Sequence, residues 1–137
     1  MKILALAAVM ALAAPAVAQA PTAVTFRFEI GQRAGKIMMS LHGSEASYRS
    51  GPPTRQAVID VAAGQTSATF NGLPAGDYAM KAFHDVNGNG KLDTNPFGIP
   101  TEPYAFSNNA AGSFGPASWD RARFAASGAV TQAIRLR

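Results

Sequence analysis

The sequence predicts an all-β protein: an antiparallel β-sandwich of about seven strands, with a long ordered loop after the fifth strand. Short runs alternate apolar and polar residues, so each run buries one face. Turn-forming Gly, Asn, Asp and Pro separate the runs. No stretch carries a 3.6-residue apolar repeat of useful length, which leaves strands as the repeating unit.

Residues 1–20 stand outside this pattern and read as a signal peptide. Lys2 gives a positive start, Ile3 to Ala14 is apolar, Pro15 breaks the run, and Ala16-Val17-Ala18 supplies small residues for cleavage near Ala18 or Ala20. The apolar run is shorter than the roughly 20 residues a membrane-spanning helix needs. The expectation is a periplasmic or secreted protein with no membrane span in the mature chain, and one domain over residues 21–137. The chain has no cysteine, so neither a lipid-anchored cysteine nor a disulfide framework is available. Its 12 basic and 8 acidic residues give a net charge of +4; removing Lys2 leaves 11 basic residues and a charge of +3. The basic residues are scattered and form no stripe, which argues against nucleic acid as a partner.

The elements follow in order. Val24, Phe26, Phe28 and Ile30 alternate with Thr25, Arg27 and Glu29. After a turn over residues 31–35, Ile37, Met39 and Leu41 repeat the pattern. A loop rich in Ser, Gly and Pro runs from Gly43 to Pro53. Ala57, Ile59 and Val61 form the third strand, which ends at a turn at Ala63-Gly64. Ala68 and Phe70 head the fourth, closed by Asn71-Gly72. Leu73-Pro74-Ala75-Gly76-Asp77-Tyr78 leads into the fifth, Ala79 to His84, and resembles a tyrosine corner, in which the hydroxyl bonds back to the main chain. Ala122, Phe124 and Ala126 form a short strand. Beyond Gly128, Val130, Ile134 and Leu136 form the last, with Gln132 interrupting its apolar face.

Asp85 to Ser118 shows neither periodicity. Loops beyond about 12–15 residues are uncommon in compact domains unless they are functional or disordered. The aromatic content of this one (Phe97, Tyr104, Phe106, Phe114, with Trp119 beside it) favours order, as an excursion packed over one end of the sandwich.

The excursion opens with Asp85-Val86-Asn87-Gly88-Asn89-Gly90-Lys91-Leu92-Asp93. Oxygen-bearing side chains at positions 1, 3, 5 and 9 and a glycine at position 6 match the front of a calcium loop. Asp85, Asn87, Asn89 and Asp93 would offer side-chain oxygens, Lys91 its carbonyl, and Leu92 an inward anchor. Pro96 stands at position 12, where a bidentate Glu is expected, so Glu102 is nominated as the further carboxylate. Such a set implies a weak Ca2+ site, with Kd on the order of 10⁻⁴–10⁻³ M. Zinc is disfavoured by the absence of cysteine and the presence of only two histidines. The plainer reading is a tight Asn-Gly turn; it leaves the bracketing aspartates and Leu92 unexplained.

No catalytic constellation emerges. Strand parity places His84 on the core face with Tyr78, Met80 and Ala82, and His42 on the outer face, so the two do not converge. His84 is expected to be a paired border residue bonding the excursion. No Gly-x-Ser-x-Gly elbow is present, and the acidic residues of the excursion are better used as ligands. Tyr104, Phe106 and Trp119 are expected to form a satellite core; exposed, they would be a platform for a sugar or protein. Ser107-Asn108-Asn109 would be a polar tip, bonding the local backbone or meeting a ligand.

Several linked motifs occur in order: Phe83-His84-Asp85-x-Asn87-Gly88-Asn89-Gly90-Lys91-Leu92-Asp93, Gly98-Ile99-Pro100, Tyr104-x-Phe106-Ser107-Asn108-Asn109 and Phe114-Gly115-Pro116. With them the mature chain resembles the bacterial domain-of-unknown-function family 2141, exported single-domain proteins with no established reaction. The resemblance implies a transthyretin-like or carboxypeptidase-regulatory-like sandwich. Ala105 stands where the family often has Gly. Hydroxyisourate hydrolases share that fold, but their Tyr-Arg-Gly-Ser-type ending and paired histidines are missing here, and fold alone transfers no activity.

The leading expectation is therefore a non-enzymatic exported protein whose calcium-ordered loop presents a binding surface for a glycan or an envelope protein. His84, Tyr104, Asn108, Asn109 and Trp119 are the nominated recognition residues. The alternatives are a small envelope hydrolase with His84 as base beside a metal-polarised group, and a structural accessory module that docks through a sheet edge.

Overall fold

The computed structural model describes residues 12–15 and 21–137. The expected leader lies outside these residues apart from 12–15, which carry no regular structure. Among the described residues no helix is long and apolar enough to cross a membrane.

The strands are β1 (Thr22–Glu29), β2 (Lys36–His42), β3 (Arg55–Asp60), β4 (Ser67–Leu73), β5 (Gly76–Asp85), β6 (Tyr104–Phe106), β7 (Phe124–Ala126) and β8 (Ala129–Arg135). They form two open sheets, a sandwich-like all-β arrangement as predicted. One sheet has the order β4-β1-β8; the other has the order β3-β2-β5-β6, with β7 also pairing β5. Pairing is antiparallel except between β1 and β8, which run parallel, so the last strand departs from the expected sandwich.

Period-two burial builds the core. Val24, Phe26 and Phe28 of β1 pack with Ile37, Met39 and Leu41 of β2, Tyr78, Met80 and Ala82 of β5, and Ile134 of β8. Phe26 meets the edges of Phe70 and Phe124 at centroid distances of 6.2 and 5.9 Å. The expected tyrosine corner is present: the Tyr78 hydroxyl donates to the Pro74 carbonyl at 2.6 Å. Tyr78→Phe should therefore lower stability by about 0.5–1.5 kcal/mol, read as a lower urea midpoint at unchanged slope.

Three elements differ from the sequence reading. The excursion is not strand-free, because Tyr104–Phe106 forms β6 against β5. Ala122 lies in a short helix, α2 (Trp119–Ala122), and only Phe124–Ala126 is strand. The Gly43–Pro53 loop contains helix α1 (Glu45–Ser50), capped by Ser44, whose side chain accepts from Ser47 N–H.

Helix α1 changes the environment of His42. This residue faces outward from its sheet, as parity predicts, yet α1 covers it and leaves it buried. Nδ1 lies 2.9 Å from Ser47 Oγ and Nε2 lies 3.0 Å from Ser40 Oγ. The Ser47 hydroxyl proton goes to the Pro52 carbonyl, so Nδ1 carries the ring hydrogen and Nε2 accepts from Ser40. Burial and then the nearby Lys81 charge hold the His42 pKa below 6.5, against an opposing Ser47 hydrogen bond. Below pH 6.5 the unfolded chain thus takes up a proton that the folded chain resists. Stability should fall as pH drops through that range towards the folded pKa, and His42→Asn should flatten the slope of urea midpoint against pH.

A candidate calcium loop beside an outer-face groove

β5 ends at Asp85, and the chain turns at once into the candidate loop. Its start is held from two sides. His84 Nε2 donates to the Ala34 carbonyl at 2.6 Å. Gly35, at φ +70°, packs so close that a Cβ there would lie 2.0 Å from the Asp85 carbonyl oxygen. No side chain fits in that space, and only glycine takes that backbone angle freely.

Asp85 is buried and collects the loop's backbone. Oδ1 accepts from Gly88 N–H (3.0 Å) and Asn89 N–H (3.1 Å), and Oδ2 accepts from Gly90 N–H at 2.8 Å. Gly90, the sixth-position glycine, has φ +77°, the sharp turn its position requires. Asn87 Nδ2 and Asn89 Nδ2 donate to the two oxygens of Asp93 at 2.5 and 2.6 Å. Their own Oδ1 atoms accept from Asn89 N–H and Lys91 N–H. Side chains from positions 3, 5 and 9 therefore meet one another, and position 1 anchors the turn beneath them.

Glu102 has a different place from the one expected. It is buried, and its two oxygens accept from Val86 N–H and Asp93 N–H, each at 3.1 Å. It ties the two ends of the loop together at its neck instead of completing a ring of ligands. Among the described residues no three His, Cys, Asp or Glu side chains form a metal-holding group. The loop's donor set is two carboxylates and two amides. It contains oxygens only, which suits a hard cation such as Ca2+, provided the two amides rotate to turn Oδ1 towards it.

The nominated recognition residues are not brought together as a surface. His84 is 1% exposed and its Nε2 is spent on Ala34, so it can neither recognise a ligand nor serve as an accessible base. It reaches the excursion through its backbone alone, N–H to the Pro103 carbonyl at 2.8 Å. Asn108 and Asn109 adopt left-handed backbone angles (φ 61° and 51°) and fasten β8 to the turn after β6. Asn108 Nδ2 donates to the Arg121 and Arg123 carbonyls, and its Oδ1 accepts from Gln132. The amide of Asn109 stands in for a peptide group, donating to the Ala133 carbonyl and accepting from Arg135 N–H. Gln132 breaks the apolar face of β8 because it also accepts from Asn108 N–H.

Trp119 is half-buried against Tyr48 (5.8 Å between centroids) and Tyr104 against Phe106 (5.9 Å). With Ala79, Ala117 and Ala122 they form the expected satellite core. Tyr48, unforeseen at this position, centres it. The Tyr48 hydroxyl donates to the Ala117 carbonyl at 2.7 Å, and burial pushes its pKa up to about 12.

Other large apolar residues of the excursion stay outside that core. Phe97 (88% exposed), Ile99 and Phe114 are exposed. They border a groove of about 1150 Å³ over the outer face of the five-stranded sheet. Strand register lays its floor in two rows: Val58, Met38, Phe83 and Tyr104 side by side, and next to them Gln56, Ser40, Lys81 and Phe106. Gly90 and Leu92 of the candidate loop form part of the rim, so Leu92, half-buried, lines the groove as well as anchoring the loop. A smaller cavity of about 410 Å³ near Pro21 and Leu73 has no charged side chain in its lining.

Residues 28–134 match the model of a family described as an uncharacterized protein conserved in bacteria, DUF2141. The chain belongs to the DUF2141 family. No curated protein and no solved structure matches it significantly. DUF2141 membership thus brings no reaction and no ligand with it, and any reading of function rests on the loop and the groove.

Proposed function

We propose that this DUF2141 protein is an exported, non-enzymatic binding protein whose Ca2+-ordered loop forms the rim of the outer-face groove. The observation that carries this is the position of residues 85–93: Asn87, Asn89 and Asp93 meet above Asp85, and the same loop puts Gly90 and Leu92 on the groove. A cation there would replace the two amide–carboxylate contacts with ion–oxygen contacts and hold the rim in one conformation. The aqueous compartment outside the inner membrane, where the leader would deliver the chain, suits a site of weak affinity.

Thermal unfolding in millimolar calcium and in chelator tests the metal. At tenfold excess over Kd, calcium should add about 1.4 kcal/mol and raise Tm accordingly. Asp93→Ala should abolish the rise. An equal Tm in calcium and chelator for the unaltered protein would remove the ion from the proposal.

A further inference from the structure

We infer that the groove takes an amphiphilic monocarboxylate, with an apolar tail on the Val58–Met38–Phe83 row and its carboxylate at Lys81. This rests on the proposed reading of the groove as a binding surface and adds the chemistry of what binds.

Charge is the first reason. Lys81 is the single charged side chain in the lining, and no Asp or Glu faces the groove. None of the ion pairs among the described residues involves Lys81. Its ammonium lies 4.4 Å from the centre of the Tyr48 ring and donates to the Tyr48 carbonyl, which uses one of three donors. A half-buried cation without a counter-ion is costly, and an arriving carboxylate supplies what is missing. One unpaired cation matches one negative charge.

Shape and apolar surface are the second. Lys81 sits one row along from Phe83, and Phe83 neighbours Met38, which neighbours Val58. An apolar track therefore leads away from the cation across three strands. Phe97 and Phe114 stand beside it, exposed, on the bordering loops. Phe114, fully exposed, is held at φ 58°, a conformation that costs a bulky residue energy. At about 1150 Å³ the groove lies just above the range of about 300–1,000 Å³ typical of small-molecule sites. Val58, Met38, Phe83 and Leu92 line a concavity with the cation at its side, which suits one apolar tail with one head group.

Calorimetric titration of the mature chain with dodecanoate, dodecanol and dodecyltrimethylammonium, in calcium-free buffer because dodecanoate precipitates as its calcium salt and each below its solubility or micelle limit, tests this. Dodecanoate should bind about tenfold or more tighter than dodecanol, and the cation should bind weakest. Lys81→Met should erase the preference and leave dodecanol binding in place. Phe114→Gly should weaken both without lowering Tm. The comparison of head groups on the unaltered protein decides the matter even if Lys81→Met folds poorly. Equal affinity for all three would overturn the carboxylate while leaving the groove as a binding surface. Absence of binding by any of them would overturn both. Co-sedimentation with anionic lipid vesicles that dodecanoate does not compete away would assign the exposed aromatics to a membrane and overturn the inference.

Discussion

Ser107→Ala should destabilise the fold by about 2–6 kcal/mol, a large share of the 5–15 kcal/mol that holds a typical domain together. Ser107 is fully buried in the turn after β6. Its Oγ accepts from the Met80 N–H of β5 at 2.9 Å and donates to the Ala122 carbonyl of α2 at 2.5 Å. One hydroxyl thus satisfies two main-chain groups from two other elements. Alanine leaves both without a partner and away from water, and each orphaned group costs about 1–3 kcal/mol. Urea unfolding measures the loss. Ser118→Ala, at an exposed position whose side chain makes no cap bond, should stay within about 0.5 kcal/mol of the unaltered protein.

Asp85→Ala should be the next most damaging change, at about 1.5–3 kcal/mol in chelator, with the ion's own contribution lost on top of that in calcium. Its carboxylate gathers three N–H groups, and a charged acceptor makes those bonds stronger than neutral ones. Residues 88–90 are exposed, so water reaches the freed donors and keeps the cost below that of a fully buried set. Asp93→Ala makes the informative contrast. Asp93 side-chain oxygens meet only the amides of Asn87 and Asn89. In chelator Asp93→Ala should therefore cost much less than Asp85→Ala, while in calcium both should lose the ion's contribution. Unfolding curves of the two variants under both conditions separate a structural carboxylate from a ligand.

The strands were legible because each buries one face: Val24, Phe26 and Phe28, and Ile37, Met39 and Leu41, stand where period two puts them. Tyr78 was legible for a different reason, since the turn before it fixes where its hydroxyl can reach. Short elements escaped. Helix α1 has six residues and β6 three, too few for either periodicity to register. A signal for α1 did exist: Ser44 as cap, Glu45 in the first turn, and Arg49 paired with Glu45 at i+4.

Asn108 and Asn109 misled for a physical reason. A side-chain amide carries the same donor and acceptor as a peptide group, so composition does not say whether it meets a ligand or the protein's own backbone. Glu102, nominated as a further ligand, accepts two N–H groups at the neck of the loop, and a carboxylate in that place looks the same in sequence as one that ligates an ion. The groove left a trace that alternation obscured. Met38 between Ile37 and Met39, and Val58 between Ala57 and Ile59, put apolar residues on both faces of adjacent strands. Such doubled runs mark a sheet whose second face is also built for apolar contact.

Amide hydrogen exchange at Gly88, Asn89 and Gly90, followed residue by residue in calcium and in chelator, reports most directly on the ordered rim. These three N–H groups all point at Asp85, and an ion bound by the loop must slow their opening. Protection that rises with calcium at these residues, and not in the β1–β8 pair, is the predicted result. Identical exchange at all three with and without the ion would contradict a calcium-ordered loop.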